Sequence, residues 1–440
     1  MTKLSGWGRY PARETELCVP RDANAVTALL GAGPVIARGN GRAYGDSAVG
    51  LRTISTRHLN RLLDFDPNTG VLAAESGVIL GDIIQGLLPR GWFPPVTPGT
   101  KFVTLGGMIA ADVHGKNHHV NGTFGNFIDW IDLLGETGAV TRCSKTDNPE
   151  LFAHTIGGMG LTGIILAAGI RMRPVPSGWI RQKLIATPDL ASTLAAFEQA
   201  NEATYSVAWI DCLARGARQG RSLLMLGEHA TLDDLPPGRA AAPYRTPKKR
   251  TRRVPFNLPS GLLNQTTVTA FNRLYYAMQS RKKGVQIIDW DSYFYPLDSI
   301  LGWNRIYGRK GFVQFQCVLP PETSEAGLRK LLGLTARAGM GSFLAVLKRL
   351  GAQESRFSFP MEGYTLALDF PMTPHTERLM KKLDRVTIEH GGRFYLAKDA
   401  RMSADMLQAS DARAAAFRAW RAGQGKTGGF ASAQSERLGL

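Results

Sequence analysis

The stretch from Pro98 to His119, PGTKFVTLGGMIAADVHGKNHH, most constrains what this chain can fold into. Its glycines at Gly99, Gly106 and Gly107 let the backbone approach a ligand closely and leave backbone N–H groups free to point at an anion. The stretch is too polar for a plain core segment, because it ends in HGKNHH, and too apolar for a solvent-exposed loop. The sequence therefore predicts that this stretch forms the wall of a large cofactor site.

The length and the cysteine pattern bound the class of protein. A chain of 440 residues is long enough for about two domains, each with its own core. The four cysteines are scattered without a CxxC pair, which argues against a disulfide framework or a zinc site and suits a reducing compartment. The first residues carry no apolar signal region, and no window reaches about 18 uninterrupted apolar residues. We expect a cytoplasmic protein, or one peripheral at the inner membrane, with no signal peptide and no transmembrane helix.

The net charge favours anionic binding partners but does not say which class of anion this protein binds. Lys and Arg number 53 against 36 Asp and Glu, a formal charge of +17, which attracts nucleic acid, anionic lipid headgroups or phosphorylated substrates. Residues 232–263 are rich in Pro, Gly and basic side chains and are predicted to be a mobile loop. The run KKRTRR at residues 248–253 has three readings: a solvated surface, contact with an anionic membrane, or nucleic-acid binding.

Local patterns in the first part of the chain predict short helices, strands and hairpins. Residues 12–31 are predicted as a helix and residues 34–37 as a strand. LLDFD-PNTG-VLAAESG and IDLL-GETG-AVTRC predict hairpins, and ILGDIIQGLL a helix. Asn148 is predicted to cap a helix that begins at Pro149. The run GGMGLTG after that helix contains GxGxxG, but the order of helix, glycines and strand excludes the dinucleotide fingerprint, which requires strand, glycines and helix.

The second part of the chain predicts a sheet-rich unit. A domain boundary is expected at residues 174–178, PVPSG. Strands are then predicted at WIRQKLIA, YSVAWIDCL, SLLMLGEH, VQIIDWDSYFY, GFVQFQCVLP, SFLAVLKRL and YTLALDF, with helices near residues 188–202, 266–281 and 323–338. Many strands with few helices favour a mostly antiparallel sheet covered on one face, an α+β arrangement. A helix follows Pro371, and two more helices end the chain.

Several motifs together resemble the vanillyl-alcohol-oxidase-type flavoprotein superfamily and, within it, the decaprenylphosphoryl-β-D-ribose oxidase family. They are GWGR, ARGNGRAYGD, PGTKFVTLGG, HGKNHH, TFGN, GGMGLTGII, GFVQFQ and GGRFYLAKDAR, and they extend over nearly the whole chain. The resemblance implies an α+β, two-domain flavoprotein in which both chain ends form the FAD-binding domain and an antiparallel-sheet substrate domain is inserted between them. The expected divisions are residues 1–176, 177–372 and 373–440.

The resemblance also implies where FAD lies. The loop at residues 38–47 and the segment at 98–114 would cradle the pyrophosphate and the ribityl chain, a dianion that suits a nest of N–H donors. Arg42 stands where covalent members often carry a histidine, so a non-covalently bound FAD is expected. The expected cofactor-binding residues are Arg38, Gly39, Asn40, Gly41, Arg42, Ala43, Tyr44, Gly45, Asp46, Ser47, Gly99, Thr100, Thr104, Leu105, Gly106, Gly107, Ala111, Asp112, Val113, His114, Gly160, Thr162, Gly163, Ile165, Tyr395 and Lys398.

Oxidation of a secondary alcohol by a flavin needs a group that accepts the hydroxyl proton and a group that stabilises negative charge on the reduced flavin. The resemblance assigns charge stabilisation and substrate orientation to Lys398, and a flavin-side pair to His114 and Lys116, with His114 as the proton relay. A metal site would need His114 and His118 on one helical face. Gly115 and Asn117 are poor helix formers, and Lys116 would put a cation between the two histidines, so no metal is predicted.

Gln314 and Gln316 alternate on a predicted strand, so both point to one face, which is either an exposed face or part of a pocket. The resemblance places them among substrate-pocket residues, which are Tyr44, Trp209, Phe294, Gln314, Gln316, Lys348, Thr365 and Ala367. Lys348 would meet a phosphodiester. Known members carry cysteine, asparagine and tyrosine at Ala367, Thr365 and Phe294. The departures imply a reshaped pocket, a related polyprenyl-phosphate pentose as an alternative substrate, and insensitivity to inhibitors that bond to that thiol.

The leading hypothesis is FAD-dependent oxidation of the 2′-hydroxyl of a polyprenylphosphoryl ribose, the first half of a 2′-epimerisation. A separate NAD(P)H-dependent short-chain reductase would complete it, and peripheral contact with an anionic membrane is expected. The enzyme alternative is a soluble alditol or sugar-lactone oxidase of the same superfamily. A basic nucleic-acid-binding protein is the non-enzyme alternative, which a flavin-free preparation would favour; no nucleic-acid partner is expected.

Overall fold

The structure is a computed structural model that describes residues 1–259, 261–282, 284–425 and 428–440. Its strands, in chain order, are β1 (Thr2–Ser5), β2 (Ala12–Cys18), β3 (Val35–Arg38), β4 (Arg52–Ser55), β5 (Leu62–Asp66), β6 (Val71–Glu75), β7 (Trp92–Phe93), β8 (Ile128–Leu134), β9 (Val140–Ser144), β10 (Ile164–Arg171), β11 (Arg173–Pro174), β12 (Trp179–Thr187), β13 (Tyr205–Ile210), β14 (Ser222–His229), β15 (Arg252–Arg253), β16 (Val285–Asp289), β17 (Ile300–Leu301), β18 (Phe312–Leu319), β19 (Val346–Leu350), β20 (Gly363–Pro371) and β21 (Arg393–Phe394).

The helices lie between these strands and after the last of them. In chain order they are α1 (Ala23–Thr27), α2 (Leu80–Leu87), α3 (Leu105–Ala110), α4 (His118–Asn121), α5 (Pro149–Thr155), α6 (Leu190–Gln199), α7 (Pro237–Ala240), α8 (Gln265–Gln279), α9 (Trp290–Phe294), α10 (Pro321–Ala338), α11 (Pro374–Glu389), α12 (Ala404–Ser410), α13 (Arg413–Gly423) and α14 (Ala433–Leu438). Within the described residues, no helix is both long and apolar enough to cross a bilayer.

Three main sheets organise the strands into a mixed α+β fold. The first sheet has the order β1-β2-β4-β3, with β2 and β3 parallel to β4. The second has the order β5-β6-β10-β8-β9 and the third β16-β12-β14-β13-β19-β20-β18-β21. The strand pairs within the second and third sheets are antiparallel. The predicted hairpins, the strand at 34–37 and the mostly antiparallel later sheet are thereby confirmed.

The hydrophobic cores lie between the apolar faces of these sheets and the helices packed against them. Helices α2 and α3 bury Ile84 and Met108 against Ala168 and Ile170 of β10 in the second sheet. On the third sheet, Phe315 and Leu366 pack together with residues of α6, α10 and α11. Because side chains alternate along a strand, the residues between these apolar positions point to the opposite face. That opposite face carries the candidate site.

The C-terminal segment returns to the first sheet. The Val35 amide donates to the Gly429 carbonyl at 2.9 Å, and the Ala431 amide donates to the Val35 carbonyl at 3.0 Å. The Arg437 guanidinium binds Asp46 at 2.8 Å and Asp399 at 3.0 Å. These contacts bring residues from both ends of the chain to the loop at residues 38–47. Lys426 and Thr427, which belong to the predicted division 373–440, lie outside the described residues.

The helix predicted over residues 12–31 is wrong for its first part. Residues Ala12–Cys18 form strand β2, which pairs with β1 and β4. Thr15 is fully buried there, and its hydroxyl lies 2.9 Å from that of Thr53. The helix begins only at Ala23, after Asp22 accepts a hydrogen bond from the Ala25 amide at 2.8 Å. The hydrogen bonds of β2 to β1 and β4 therefore outweigh the helical pattern of the local sequence.

Two further local predictions needed correction. The run VQIIDWDSYFY is a strand only as far as Asp289, whose carboxylate accepts from the Ser292 amide at 2.8 Å and starts α9. Helix α5 begins at Pro149 as predicted, but Asn148 does not cap it. Asn148 has a φ of +49°, and its side-chain amide donates to the Arg142 carbonyl at 2.9 Å instead. The order of α5, glycines and β10 agrees with the rejection of the dinucleotide fingerprint.

The segment at residues 232–263 contains α7, β15 and several contacts with its surroundings. The Tyr244 hydroxyl donates to the Val175 carbonyl at 3.2 Å, and the Arg252 amide donates to the Ser299 carbonyl at 2.7 Å. Its mobility stays a prediction, as does the domain boundary at residues 174–178. Ser260 within it lies outside the described residues.

Candidate functional site

The face of the third sheet opposite the helices gathers polar side chains from three neighbouring strands. Residues paired across antiparallel strands share a face. Register pairs on this face are Gln316 with Ala367, Gln314 with Asp369, Lys348 with Thr365, and Trp209 with Val346. The predicted alternation of Gln314 and Gln316 with Phe315 and Cys317 is therefore confirmed, and every sheet residue expected in the substrate pocket lies on one face.

The glycine loop at residues 38–47 lies close to this face through the turn at residues 395–399. The Tyr44 amide donates to the Ala397 carbonyl at 2.9 Å. A Cβ on Gly45 would stand 1.9 Å from the Asp399 carbonyl oxygen, so only glycine allows this approach. The Arg42 guanidinium lies 4.2 Å from the Trp7 ring centroid. The loop is thereby fixed from both sides, with residues 39–44 partly exposed.

The segment at residues 98–113 forms a second wall with backbone facing open space. A Cβ built on Gly99 would meet no described atom within 4 Å, and one built on Gly107 would meet only the Thr104 hydroxyl at 3.1 Å. Both glycines are exposed. Gly106 instead packs against Ser76, where a Cβ would stand 2.8 Å from that residue's own Cβ. The backbone at the two exposed glycines thus faces space that no described side chain fills.

Several residues expected to bind the cofactor are buried, or have side chains that are engaged elsewhere in the fold. Arg38 binds the Ser5 carbonyl at 2.8 Å and the Ala48 carbonyl at 3.2 Å. Thr104 caps α3. Further buried members of the set are Gly45, Asp46, Ser47, Leu105, Asp112, Val113, Thr162, Gly163 and Ile165. The partly exposed members are Gly39, Asn40, Gly41, Arg42, Ala43, Tyr44, Thr100, Gly106, Ala111, Gly160 and Lys398.

His114 directly follows the segment at residues 98–113 and lies against the polar sheet face at Gln316. Its Nε2 is 3.2 Å from the Gln316 amide nitrogen, which is also 3.3 Å from the Thr365 hydroxyl. Its Nδ1 is buried and has no hydrogen-bond partner among the described residues. The Tyr395 ring lies 5.1 Å from the imidazole centroid, and its hydroxyl donates to the Ala111 carbonyl at 3.1 Å. Burial, aided by the charge of Lys348, lowers the pKa of His114 well below its usual value, so the imidazole is neutral.

Two lysines of the site have depressed pKa values. Burial, with the charge of Lys348, lowers the pKa of Lys116 to about 7. Burial lowers the pKa of Lys348 itself to about 8. The Lys116 ammonium donates to the Tyr293 carbonyl and lies 4.1 Å from the Tyr293 ring centroid. Near neutral pH, a large fraction of Lys116 is therefore the free amine, the form that accepts a proton.

Lys398 lies in the same region, with Tyr44 beneath it and Asp369 nearby. Its Nζ is 3.7 Å from the Tyr44 ring centroid. Burial lowers the pKa of Lys398 and raises that of Asp369, while the attraction between the two charges opposes both shifts. Asp369 is fully buried, and one carboxylate oxygen accepts from the Gln314 amide at 2.5 Å. The other has no partner in the part of the chain that the structure describes.

The remaining histidines of HGKNHH serve structural contacts. The His118 Nδ1 accepts from the Gly351 amide at 3.1 Å, and its Nε2 lies 3.1 Å from the Gln353 side-chain oxygen. His119 Nε2 binds the Ala203 carbonyl at 2.8 Å. The rings of His114 and His118 are 6.4 Å apart and nearly perpendicular. Because both His118 nitrogens are engaged, this pair does not present two free lone pairs to a metal ion.

Two expected pocket residues lie at the margins. Phe294 is 2% exposed, packs on Tyr205 at 4.9 Å, and lies 5.5 Å from the Lys116 ammonium. Trp209 is 7% exposed, and its indole nitrogen donates to the Phe343 carbonyl at 3.1 Å. Phe294 thus stands behind Lys116 in the core, whereas Trp209 stands at the end of the polar sheet face.

The residues of this site fit the shape and charge of FAD. The backbone at Gly99 is open where a Cβ would stand, and at Gly107 only the Thr104 hydroxyl lies near that position. Arg42 carries a buried Nε with no partner within the described ranges. Lys348 and Lys398 supply positive charge in a buried place, with the Asp369 carboxylate near Lys398. Such a set can hold an anionic ligand and stabilise negative charge that develops beside it.

Sequence reasoning missed three residues of this site. Asp369 shares the face of Thr365 and Ala367, and the two-residue period of YTLALDF could have revealed it. Gln353 joins His118 to Thr123, and Arg437 joins Asp46 to Asp399. These two act across long sequence separations, and no local pattern marks them.

Comparison with known proteins matches this chain to one family model and to several proteins. Residues 20–144 match a family model described as an FAD binding domain. The decaprenylphosphoryl-beta-D-ribose oxidase of Mycolicibacterium smegmatis is 35% identical over 453 residues, which cover 100% of this chain and 97% of that protein. An uncharacterized protein of Streptomyces coelicolor is 30% identical over 82% of this chain and 100% of its own length. Cytokinin dehydrogenase 5 of Arabidopsis thaliana is 30% identical over 34% of this chain and 29% of its own length.

His118 should make the stability of the protein depend on pH. Burial lowers its pKa from 6.5 to about 4, so the folded state excludes the protonated form. The contribution of neutral His118 to the free energy of unfolding is fully present above pH 6.5. It is lost as the pH falls towards 4, and the loss reaches about 2 kcal/mol by pH 5. The measurement is the free energy of unfolding in urea at pH 7 and at pH 5. Between these two pH values it should fall by about 2 kcal/mol less in His118→Asn, which keeps an acceptor for the Gly351 amide, than in wild type. The exposed His58→Asn control should behave as wild type; an unchanged loss in His118→Asn would contradict this.

Proposed function

The chain belongs to the family of FAD-dependent oxidoreductases that includes decaprenylphosphoryl-β-D-ribose oxidase, and we propose that it oxidises the 2′-hydroxyl of a polyprenylphosphoryl-β-D-ribose-like lipid-linked pentose to the 2′-keto sugar. The observation that carries the proposal is that His114, Lys116 and Lys398 lie close enough to Lys348, on the polar sheet face, to feel its charge, with the exposed backbone of Gly99 and Gly107 on the segment that precedes His114. This reaction is the first half of an epimerisation to the arabinose form.

Positive charge is the property of the site that best matches such a substrate. FAD, when bound, would accept the hydride from the sugar carbon. We place the sugar hydroxyls at Gln314 and Gln316 and the phosphodiester at Lys348, whose ammonium is buried on the same face. Lys398 would hold its charge where negative charge develops on the cofactor. The amide groups and the lysine of one sheet face would thus orient one phosphate-bearing sugar.

The hydroxyl proton needs an acceptor that is neutral at working pH. The strongly lowered pKa of His114 makes its imidazole a weak base. Lys116, with a pKa of about 7, is closer to the value at which a general base works best. We therefore propose that the Lys116 amine accepts the proton, and that neutral His114, held by Gln316, orients the hydroxyl.

Arg42 supports FAD that is held without a covalent bond. Its guanidinium stacks between Trp7 at 4.2 Å and Phe102 at 5.0 Å, and an arginine cannot form the histidyl–flavin link. Because a 2′-keto sugar must still be reduced to complete an epimerisation, we propose an NAD(P)H-dependent short-chain reductase as the partner enzyme. These assignments rest on the proposed substrate.

The substrate is tested by anaerobic mixing of the flavin-loaded protein with candidate sugars. A polyprenylphosphoryl ribose should bleach the flavin absorbance near its visible maximum, because it supplies both the hydroxyl and the phosphodiester that the site accommodates. Free alditols and sugar lactones serve as the comparison. Bleaching by an alditol, and not by the lipid-linked sugar, would contradict the proposal and favour the soluble alditol or sugar-lactone oxidase.

Lys398→Ala should preserve the fold and lower turnover by at least about 100-fold, since it removes the charge that stabilises the transition state. Lys381→Ala, which removes an exposed lysine of α11, is the matched control and should keep wild-type turnover. The measured quantity is the rate constant of flavin reduction in a single turnover at saturating substrate. A Lys398→Ala protein that reduces its flavin as fast as the control would remove Lys398 from the mechanism.

A further inference from the structure

Helix α8 presents an apolar stripe to solvent. Phe271, Leu274 and Met278, at helical spacings of three and four residues, are 45%, 62% and 55% exposed. Phe256 and Leu262, which precede the helix, are 63% and 50% exposed. Isolated exposed apolar residues are ordinary, but an apolar row on one helix face marks an interaction surface.

The opposite side of α8 is firmly attached, so the stripe is not a core face that has failed to pack. Val268 and Asn272 are buried, and the Asn272 amide donates to the Asp211 carboxylate at 2.8 Å. The Tyr276 hydroxyl donates to the Thr187 carbonyl at 3.1 Å. These contacts fix the rotation of the helix and hold the stripe outward.

The surrounding sequence is strongly basic. Between Asp234 and Asp289 the chain contains no Asp or Glu and has eleven Lys or Arg residues. Arg273, Arg281 and Lys282 are exposed on α8 or directly after it. A second copy of the chain would bring like charges together at this surface, whereas an anionic surface would be attracted to it.

We propose that the apolar stripe of α8, with its basic flanks, docks the protein on an anionic phospholipid bilayer, the helix lying in the plane of the interface. Phe271, Leu274 and Met278 would enter the boundary between headgroups and acyl chains, and the arginines and lysines would meet anionic headgroups. An apolar helix face with exposed basic residues beside it, here Arg273, Arg281 and Lys282, is typical of such an interfacial helix.

Aromatic contacts connect this surface to the candidate site. Phe271 stacks on Tyr275 at 5.7 Å, and Tyr275 lies 5.0 Å from Trp209 at the end of the polar sheet face. A bilayer on the stripe would therefore lie near the end of the polar sheet face, where we propose that a lipid-linked sugar binds. That consequence rests on the proposed function, whereas the binding of a bilayer does not.

The test uses the flavin-loaded full chain and vesicles that contain no sugar lipid, so its outcome is separate from that of the substrate assay. The protein is floated with vesicles of phosphatidylcholine alone or mixed with phosphatidylglycerol. The variant Phe271→Ser/Leu274→Ser/Met278→Ser is compared with a control at similarly exposed positions elsewhere, Leu51→Ser/Leu63→Ser/Val140→Ser. The variant Arg273→Glu/Arg281→Glu/Lys282→Glu tests the charges.

Wild type and the control should bind the phosphatidylglycerol vesicles, and the stripe variant should partition at least about tenfold less. The charge variant should lose its preference for phosphatidylglycerol over phosphatidylcholine. Circular dichroism and flavin content verify folding, and the single change Leu274→Ser, with a smaller loss, substitutes for a stripe variant that misfolds. Wild type that stays with the vesicle-free fraction, or a stripe variant that binds like the control, would overturn the proposal. Vesicle-independent dimers of wild type that the stripe variant lacks would overturn it in favour of a subunit interface.

Discussion

Arg437 joins the two ends of the chain, and the candidate site depends on this contact. Its guanidinium binds Asp46 of the glycine loop and Asp399, the residue after Lys398. Burial alone would raise the pKa of Asp399, but the charge of Arg437 and two backbone N–H groups lower it below its usual value. Removing Arg437 would leave two buried carboxylates close together, at a cost of about 3 kcal/mol. One ion-paired group therefore sets the distance between the glycine loop and the lysine that faces it.

The third sheet supplies the other half of the site by dividing its residues between two faces. Phe315 and Leu366 pack into the core, and that packing fixes the direction of Gln314, Gln316 and Lys348 on the opposite side. The lysines there are buried at an energetic cost, which their lowered pKa values record. An anionic cofactor or substrate relieves that cost, so the same charges that oppose folding favour binding.

The sequence was informative wherever chemistry and local pattern coincide. The glycine-rich walls, the hairpins and the alternation around Gln316 could be predicted because each depends on neighbouring residues. Strand β2 could not, since its partners β1 and β4 are supplied by tertiary pairing. The contact of Arg437 with Asp46 spans 391 residues and leaves no local signal. Burial lowers the pKa of both His114 and Lys116, and the proton-relay role expected for His114 stays a prediction.

The flavin content of Arg437→Gln protein tests most directly whether both chain ends form one FAD site. The absorption spectrum after extensive dialysis is compared with those of wild type and of Arg13→Gln, which removes an exposed ion pair to the same helix α14. Wild type and Arg13→Gln should keep their flavin bands, and Arg437→Gln should lose most of its flavin. A colourless wild type, or an Arg437→Gln protein that holds flavin as firmly as the control, would contradict a site built from both ends.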